Sequence, residues 1–593
     1  MLPRPALLLH VGLPAGFAAF ALYACSASST NPPGWTGGSG GGSTASGTGG
    51  SPDITVGSGT GSGSGGSCDG VHCSADLHSV LDCNGNVLET CPPDLGCGDG
   101  GKCVAPCAAA VSNASTIGCE FYSVVPGPEP ITRGSCFAVL LANTWTTPVT
   151  ITAERAGQTL DIGGMARIPK GTGASLTYAP LTNGQLGPGE LAILFLAQAP
   201  GGGLFFSQCP AGVTPGVNLD AAINGTGTGD AFHIKTTAPV VAYDIYPYGG
   251  SKSYVSSATL LVPTAAWGTN YIASDGWPED PGTGGQPFIQ IAAAEDGTSF
   301  TIAPAGASAP ATYTLDAGQV MQFMQDAELA GSPITSTKPV SVWGGSSCMN
   351  IPVGKYACDS GHQQLVPVKA LGHEYVAVRH RDRKQGVAET VPWTFVGAVD
   401  GTTLTYDPAP PAGAPVKLDS GEVVRFDAAG AFSVKSQDAQ HPFYTSGHMT
   451  GWTNITENSF EGVGDAETVN VIPPEQWLSS YLFLTDPTYA NTHLVFVRKK
   501  NKDGVFPDVQ LDCFGTIGSW FPVGSAGEYQ YSRFDMVAAG APQGQCNNGA
   551  HTAKSSAPFG LTVWGWDTAV SYAYPAGMST QPINTVVVPA VPK

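Results

Sequence analysis

Charge is scarce in this chain. Only 12% of its residues are Asp, Glu, Lys or Arg, about half the usual share. Acids outnumber Lys and Arg 45 to 25, for a formal charge of −20. No basic stripe exists, which argues against nucleic acid as a partner. Long apolar faces at helical spacing are nearly absent as well, and with them the case for a helical fold. The HExxH signature and a paired-carboxylate motif are also missing, and GxSxG occurs only as a string within the Gly/Ser-rich run 26–67, so the common hydrolase chemistries have no visible carrier. A non-enzymatic protein is expected, with no catalytic residue, metal ligand or cofactor.

One apolar run stands apart, from Ala6 to Ala24, with Arg4 the only charge near it. It is long enough for a short membrane-spanning helix, so a retained anchor is one reading. The other rests on Leu22-Tyr23-Ala24-Cys25, which resembles a bacterial lipoprotein signal, with Cys25 receiving the lipid and becoming the first mature residue. Both readings export the chain. Ser26, where an Asp would resemble an inner-membrane retention signal, favours the outer membrane or cell surface. Residues 26–67 are almost wholly Gly, Ser, Thr and small polar residues. Such a segment buries too little apolar surface to offset its ordering entropy, and a Gly-rich coil of about 40 residues spans roughly 35 Å. Residues 1–25 are therefore read as signal and residues 26–67 as a linker that holds a domain clear of the membrane.

Removing Cys25 leaves an even number of cysteines. Cys68, Cys73, Cys83, Cys91, Cys97, Cys103, Cys107 and Cys119 are crowded among Gly, Pro and Asn. In an exported chain that pattern reads as a disulfide framework whose connectivity spacing cannot give. Zinc is the competing reading, with His72 and His78 nearby, but no CxxC pair occurs. The other six are sparse and are expected to pair locally: Cys136 with Cys209, Cys348 with Cys358, and Cys513 with Cys546. Residues 68–107 are taken as a disulfide-rich segment and residues 108–593 as one repeated domain.

Within that domain, short alternating runs of Val, Ile, Thr, Tyr and Phe are punctuated by Gly, Pro, Asn and Asp, the pattern of half-buried strands. The fold class is all-β. Self-comparison shows a proline before an apolar strand at Pro239, Pro339, Pro442 and Pro558, separated by 100, 103 and 116 residues. A second proline follows at Pro263, Pro367 and Pro473, then "EDGTSFTI" matches "VDGTTLTY", and "LDAGQVMQF" matches "LDSGEVVRF". Ordered markers at a period of about 104 residues indicate tandem β-modules. A small β-sandwich per repeat is favoured, with propeller blades the alternative.

The segments "STIGCEFYSV", "GSCFAVLLANTWTTPVTITAERAG", "GELAILFLAQ", "AFHIKTTAPVVAYDIYPYGG" and "SATLLVPTAAWGTNYIAS" resemble the N-terminal domain family named for the IgG Fc-binding protein of mucus. The likeness extends over residues 115–590, and the block before it resembles the Cys-rich leader of myxobacterial surface lipoproteins. The resemblance implies an extracellular, disulfide-stabilised, adhesive or structural protein and leaves its ligand open.

Residue by residue, functional candidates are few. His362, His373, His380, His441 and His448 fall in one third of the chain without triad or metal spacing; His362 is expected to pack beside the Cys358 bridge. Glu461, Asp465 and Glu467 form an acidic patch that lacks the EF-hand pattern. Trp343, Trp452, Trp564, Trp566, Tyr246 and Tyr248 are either core residues or platforms for a glycan or protein ligand, since amphipathic aromatics serve both uses. The function expected is that of a lipid-anchored surface protein with an adhesive or binding role. A purely structural envelope protein and a secreted hydrolase are the alternatives.

Overall fold

The computed structural model describes residues 70–590, apart from 75, 84, 172–174, 283 and 305–308. Cys25, Cys68 and the signal and linker segments lie outside the described residues. The described chain is all-β, with only short helices such as Pro106–Asn113 and Ile162–Met165.

Four modules repeat one plan. Each is organised by a long strand: Phe232–Tyr246, Pro333–Met349, the interrupted pair Phe432–Lys435 and Phe443–Met449, and Ala550–Asp567. The first half of each long strand pairs with the strand that opens the module, and the second half with the next strand along. The long strand thus turns a corner between two sheets. In the third module these are a three-stranded and a four-stranded sheet, with Tyr375, Trp393, Phe395, Phe426, Phe432 and Phe443 packed together in its core. That is a sandwich-like unit, as the repeat suggested.

Pro239, Pro339 and Pro558 stand where the register of the long strand slips, and Pro442 is the last residue of the break in the third. A residue without an N–H is tolerated at such a bulge because no ladder hydrogen bond is expected of it. In modules two to four a buried tyrosine pins the corner. The Tyr271 hydroxyl accepts from Gly268 N–H (3.0 Å) and donates to Val340 C=O (2.7 Å). Tyr375 joins Gly372 to Phe443 (3.0 and 2.6 Å), and Tyr481 joins Leu478 to Phe559 (3.0 and 2.5 Å). In the first module Phe121 occupies this position.

After its corner each chain returns through an inner strand: Ser257–Leu260, Asp359–Leu365, Glu467–Asn470 and Val570–Pro575. Each inner strand packs on its neighbours and the fourth packs on the first, so the four close into a ring. Leaving the first three, the chain meets Pro263, Pro367 or Pro473, whose ring lies on the glycine that opened the same module. A Cβ on Gly118, Gly268 or Gly372 would stand 2.4, 2.5 or 2.3 Å from that proline's Cβ.

The ring is sealed where the start of module one meets the segment that follows the last inner strand. Thr116 N–H donates to Met578 C=O (3.0 Å) and Thr580 N–H to Ala114 C=O (2.8 Å). Ahead of the ring, bridges Cys73–Cys97 and Cys91–Cys103 hold the small segment, and Cys107–Cys119 ties its helix to the first strand of module one. Cys83 is disulfide-bonded too. Cys136–Cys209, Cys348–Cys358 and Cys513–Cys546 join loops of the large domain. No helix among the described residues is long and apolar enough to cross a membrane.

Candidate binding face

The loops that join long strand to inner strand all emerge at one end of the ring, because the ring repeats the same connection in each module. Hydrogen bonds run from each to the next. Ser360 N–H donates to Val255 C=O (3.4 Å), Gly451 N–H to Ile351 C=O (2.9 Å) and Gly464 N–H to Asp567 C=O (2.9 Å). Ser256 Oγ closes the circuit on Ser571 C=O at 2.9 Å.

The loop of module two is closed by a bridge. Pro352, Val353, Gly354, Lys355 and Tyr356 are all exposed, between buried Ile351 and Ala357, and the Cys348–Cys358 bridge closes its base. Asn454 Nδ2 donates to Ile351 C=O (2.9 Å) and Thr453 Oγ1 to Tyr356 C=O (2.7 Å), so the third loop braces the second. Large apolar side chains crown this end: Tyr356 is 76% exposed, Phe460 81% and Leu204 82%. Phe205 packs on Tyr254 with ring centres 4.9 Å apart. A tied loop gives up less entropy on binding than a free one, and exposed aromatic side chains supply contact area.

The residues singled out from the sequence lie elsewhere. Trp343, Trp564, Trp566, Tyr246 and Tyr248 are buried, and Trp452 alone of that set is half-buried. Their alternation marked them as strand residues but could not say which face is covered. The histidines do not converge. His362 lies between modules one and two, its Nδ1 3.6 Å from Asp244 and its Nε2 3.2 Å from Gln290 Oε1. Ser123 Oγ donates to Asp244 (2.8 Å) rather than to the imidazole, so no nucleophile–base pair forms. His373 pairs with Glu475 at 3.0 Å, whose hydrogen bond raises its pKa. His441 pairs with Asp438 at 2.8 Å. His380 is buried against Trp564, and burial holds it well below the usual range. His448 is pushed down to about 3 by burial, and its Nε2 meets Thr394 Oγ1 at 2.8 Å.

The acidic patch divides. Glu461 is a surface partner of Lys384 (2.6 Å), whereas Asp465 and Glu467 turn inward to the ring axis. Asp512 and His551 approach Cys513, but that sulfur is spent in its bridge to Cys546, and the other two bond each other at 3.0 Å. Two cavities beside the inner strands measure about 20 and 30 Å³, each room for a water. A cleft of about 210 Å³ lies between Ile168, Glu190, Pro487 and Asn548. All are below the size of ordinary small-ligand pockets.

A closed β ring with small cavities and a crown of exposed apolar loops defines a scaffold suited to recognition at its surface. The chain belongs to the IgGFc binding protein family, which matches residues 257–565. Residues 115–256 precede that match yet build the same kind of module. Among curated proteins the chain is similar to the IgGFc-binding protein of Homo sapiens, 25% identical over 359 residues. That likeness takes in 58% of this chain and 6% of the human protein, so the chain spans a small part of that relative's length. No solved structure matches.

Proposed function

We propose that this is an exported, surface-displayed binding protein that engages an extracellular protein through the loop crown. The observation that carries the reading is the bridged, exposed Pro352–Tyr356 loop, braced by the loop that also bears the exposed Phe460. The human relative's name gives that protein an immunoglobulin Fc ligand, which supports a protein partner here. The same reading makes Cys25 the lipid-bearing residue and residues 26–67 the tether, an assignment that rests on the sequence alone.

The test is an array of extracellular proteins, IgG Fc and glycans, probed with the full chain and with Y356A/F460A. Binding to a protein spot, lost in the double variant while thermal stability is unchanged, supports the reading. Binding only to glycans, or binding that survives both substitutions, overturns it. Intact mass of the membrane-extracted protein reports the anchor: a chain starting at Cys25 with added acyl groups supports it, and an intact Met1 refutes it.

A further inference from the structure

Three carboxyls meet where the inner strands begin. Asp359 comes from module two, Asp465 and Glu467 from module three, and all are buried, at 0%, 3% and 0% exposure. They brace the ring along both diagonals. Asp359 Oδ2 accepts from Ser571 N–H of module four at 2.8 Å. Glu467 Oε1 accepts from Ser257 Oγ of module one at 3.2 Å and from Thr468 N–H at 2.7 Å. Asp465 Oδ1 accepts from Ala466 N–H, while the Asp465 N–H donates to Ser571 Oγ, both at 2.9 Å.

The neighbouring charge offsets Asp465 only in part, burial outweighing the pull of Arg383. Asp359 Oδ1 and Glu467 Oε2 are buried without a hydrogen-bond partner; the Val255 and Ala573 amides approach these two carboxyls but fall short of full hydrogen bonds. Arg383 acts on Asp465 through its charge, but its hydrogen bonds go elsewhere. Its Nε meets Glu389 at 3.0 Å, and its Nη atoms donate to Val463 C=O and Thr450 C=O at 2.8 Å each. From module four come the Tyr489 hydroxyl, bonded to Ser256 Oγ at 2.6 Å, together with Tyr572 and Asp486. From modules one and two come Asp244 and His362, which face each other and Gln290. A buried carboxylate without a counter-charge is costly, and the cheapest remedy is a proton.

We propose that the axial carboxyls Asp359, Asp465 and Glu467 form a proton-held lock on the ring, closed in acid and loosened as the medium turns neutral to alkaline. Burial raises all three: Asp359, with repulsion from Asp465 and Glu467, and Glu467 well above the usual carboxyl range, and Asp465 to about 7. The folded protein therefore holds protons that the unfolded chain releases. The stabilisation is fully present below the unfolded carboxyl range and is lost as pH rises through about 7, the value for Asp465. The loops bearing Tyr356 and Phe460 end close to Asp359 and Asp465, so the crown loosens first.

Hydrogen exchange of the full chain tests this without any ligand. Between pH 5 and pH 8, protection of the four inner strands in the wild type is expected to fall at least about tenfold, the effect of one pK unit. D359N/D465N/E467Q, whose amides imitate protonated carboxyls, is expected to keep its protection across that range. Wild-type protection that does not change, or a triple variant that loses as much, overturns the proposal. If the variant fails to fold, D465N and E467Q singly are each expected to reduce the pH-dependent loss, and no reduction in either is equally fatal. Recovery of wild-type protection by calcium at pH 8 would make the cluster a cation site and overturn the proton reading.

Discussion

Replacing Tyr271, Tyr375 or Tyr481 by Phe removes one oxygen and strands two backbone groups. In each of these three modules the hydroxyl takes an N–H from the residue three positions before it and gives its own proton to the carbonyl after the corner proline. All three side chains are buried, so water cannot take over. Each orphaned buried group costs about 1–3 kcal/mol, and partial relaxation leaves a loss of roughly 2–4 kcal/mol per variant. A chain of four modules need not unfold in one step. The measurement is therefore denaturant titration combined with hydrogen exchange of the corner segments at Val340, Phe443 and Phe559. The three variants are expected to lose similar stability, each with its own corner deprotected first. A variant within about 0.5 kcal/mol of wild type, or deprotection starting elsewhere, would refute the idea that one device is used three times.

Three further outcomes follow from buried charge and from the tied loop. Asp275 is pushed up to about 7 by burial and by Glu328, so its contribution is present in acid and lost as pH rises through that value. Asp275→Asn should be more stable than wild type at pH 8 by about 2–4 kcal/mol and equal to it near pH 4; denaturation at both values decides. Arg383→Ala leaves Glu389 alone in a site where both side chains have no exposure. A loss of about 3–5 kcal/mol is expected, and R383M/E389L should lose much less; equal losses would contradict this. C348S/C358S should cost about 2–3 kcal/mol and make Lys355 a fast tryptic site. Unchanged cleavage would show that Ile351, Ala357 and the bracing from Asn454 hold the loop without its bridge.

The strands and their repetition were legible because alternation and proline placement act within one module. Pro263, Pro367 and Pro473 recur with Gly118, Gly268 and Gly372 for a steric reason: each proline needs the space a side chain would fill. Ring closure was not legible. It depends on inner-strand positions where the modules differ, such as Ser257, Gly361, Glu467 and Tyr572, and contacts of that kind leave no periodic trace. The same holds for the crown. Tyr356 and Phe460 sit in loops outside every marker, while the recurrent Trp343, Trp564 and Trp566 recur because they fill cores. The Cys348–Cys358 spacing was the one signal pointing to the crown, since bridged cysteines ten positions apart mark a presented loop. Asp465 and Glu467 were visible as a patch, but their partner Asp359 comes from the preceding module.

The Cys107–Cys119 bridge sets how the molecule carries load. Tension entering from the N-terminal side travels along the backbone only as far as Cys107, then crosses the sulfur–sulfur bond to Cys119. Residues 108–118 remain slack, among them Thr116 and its seam with Met578. The pull is delivered instead to the strand Gly118–Ser123, which is hydrogen-bonded along the first long strand. The Thr116–Met578 seam is thereby bypassed by a load that enters ahead of Cys107.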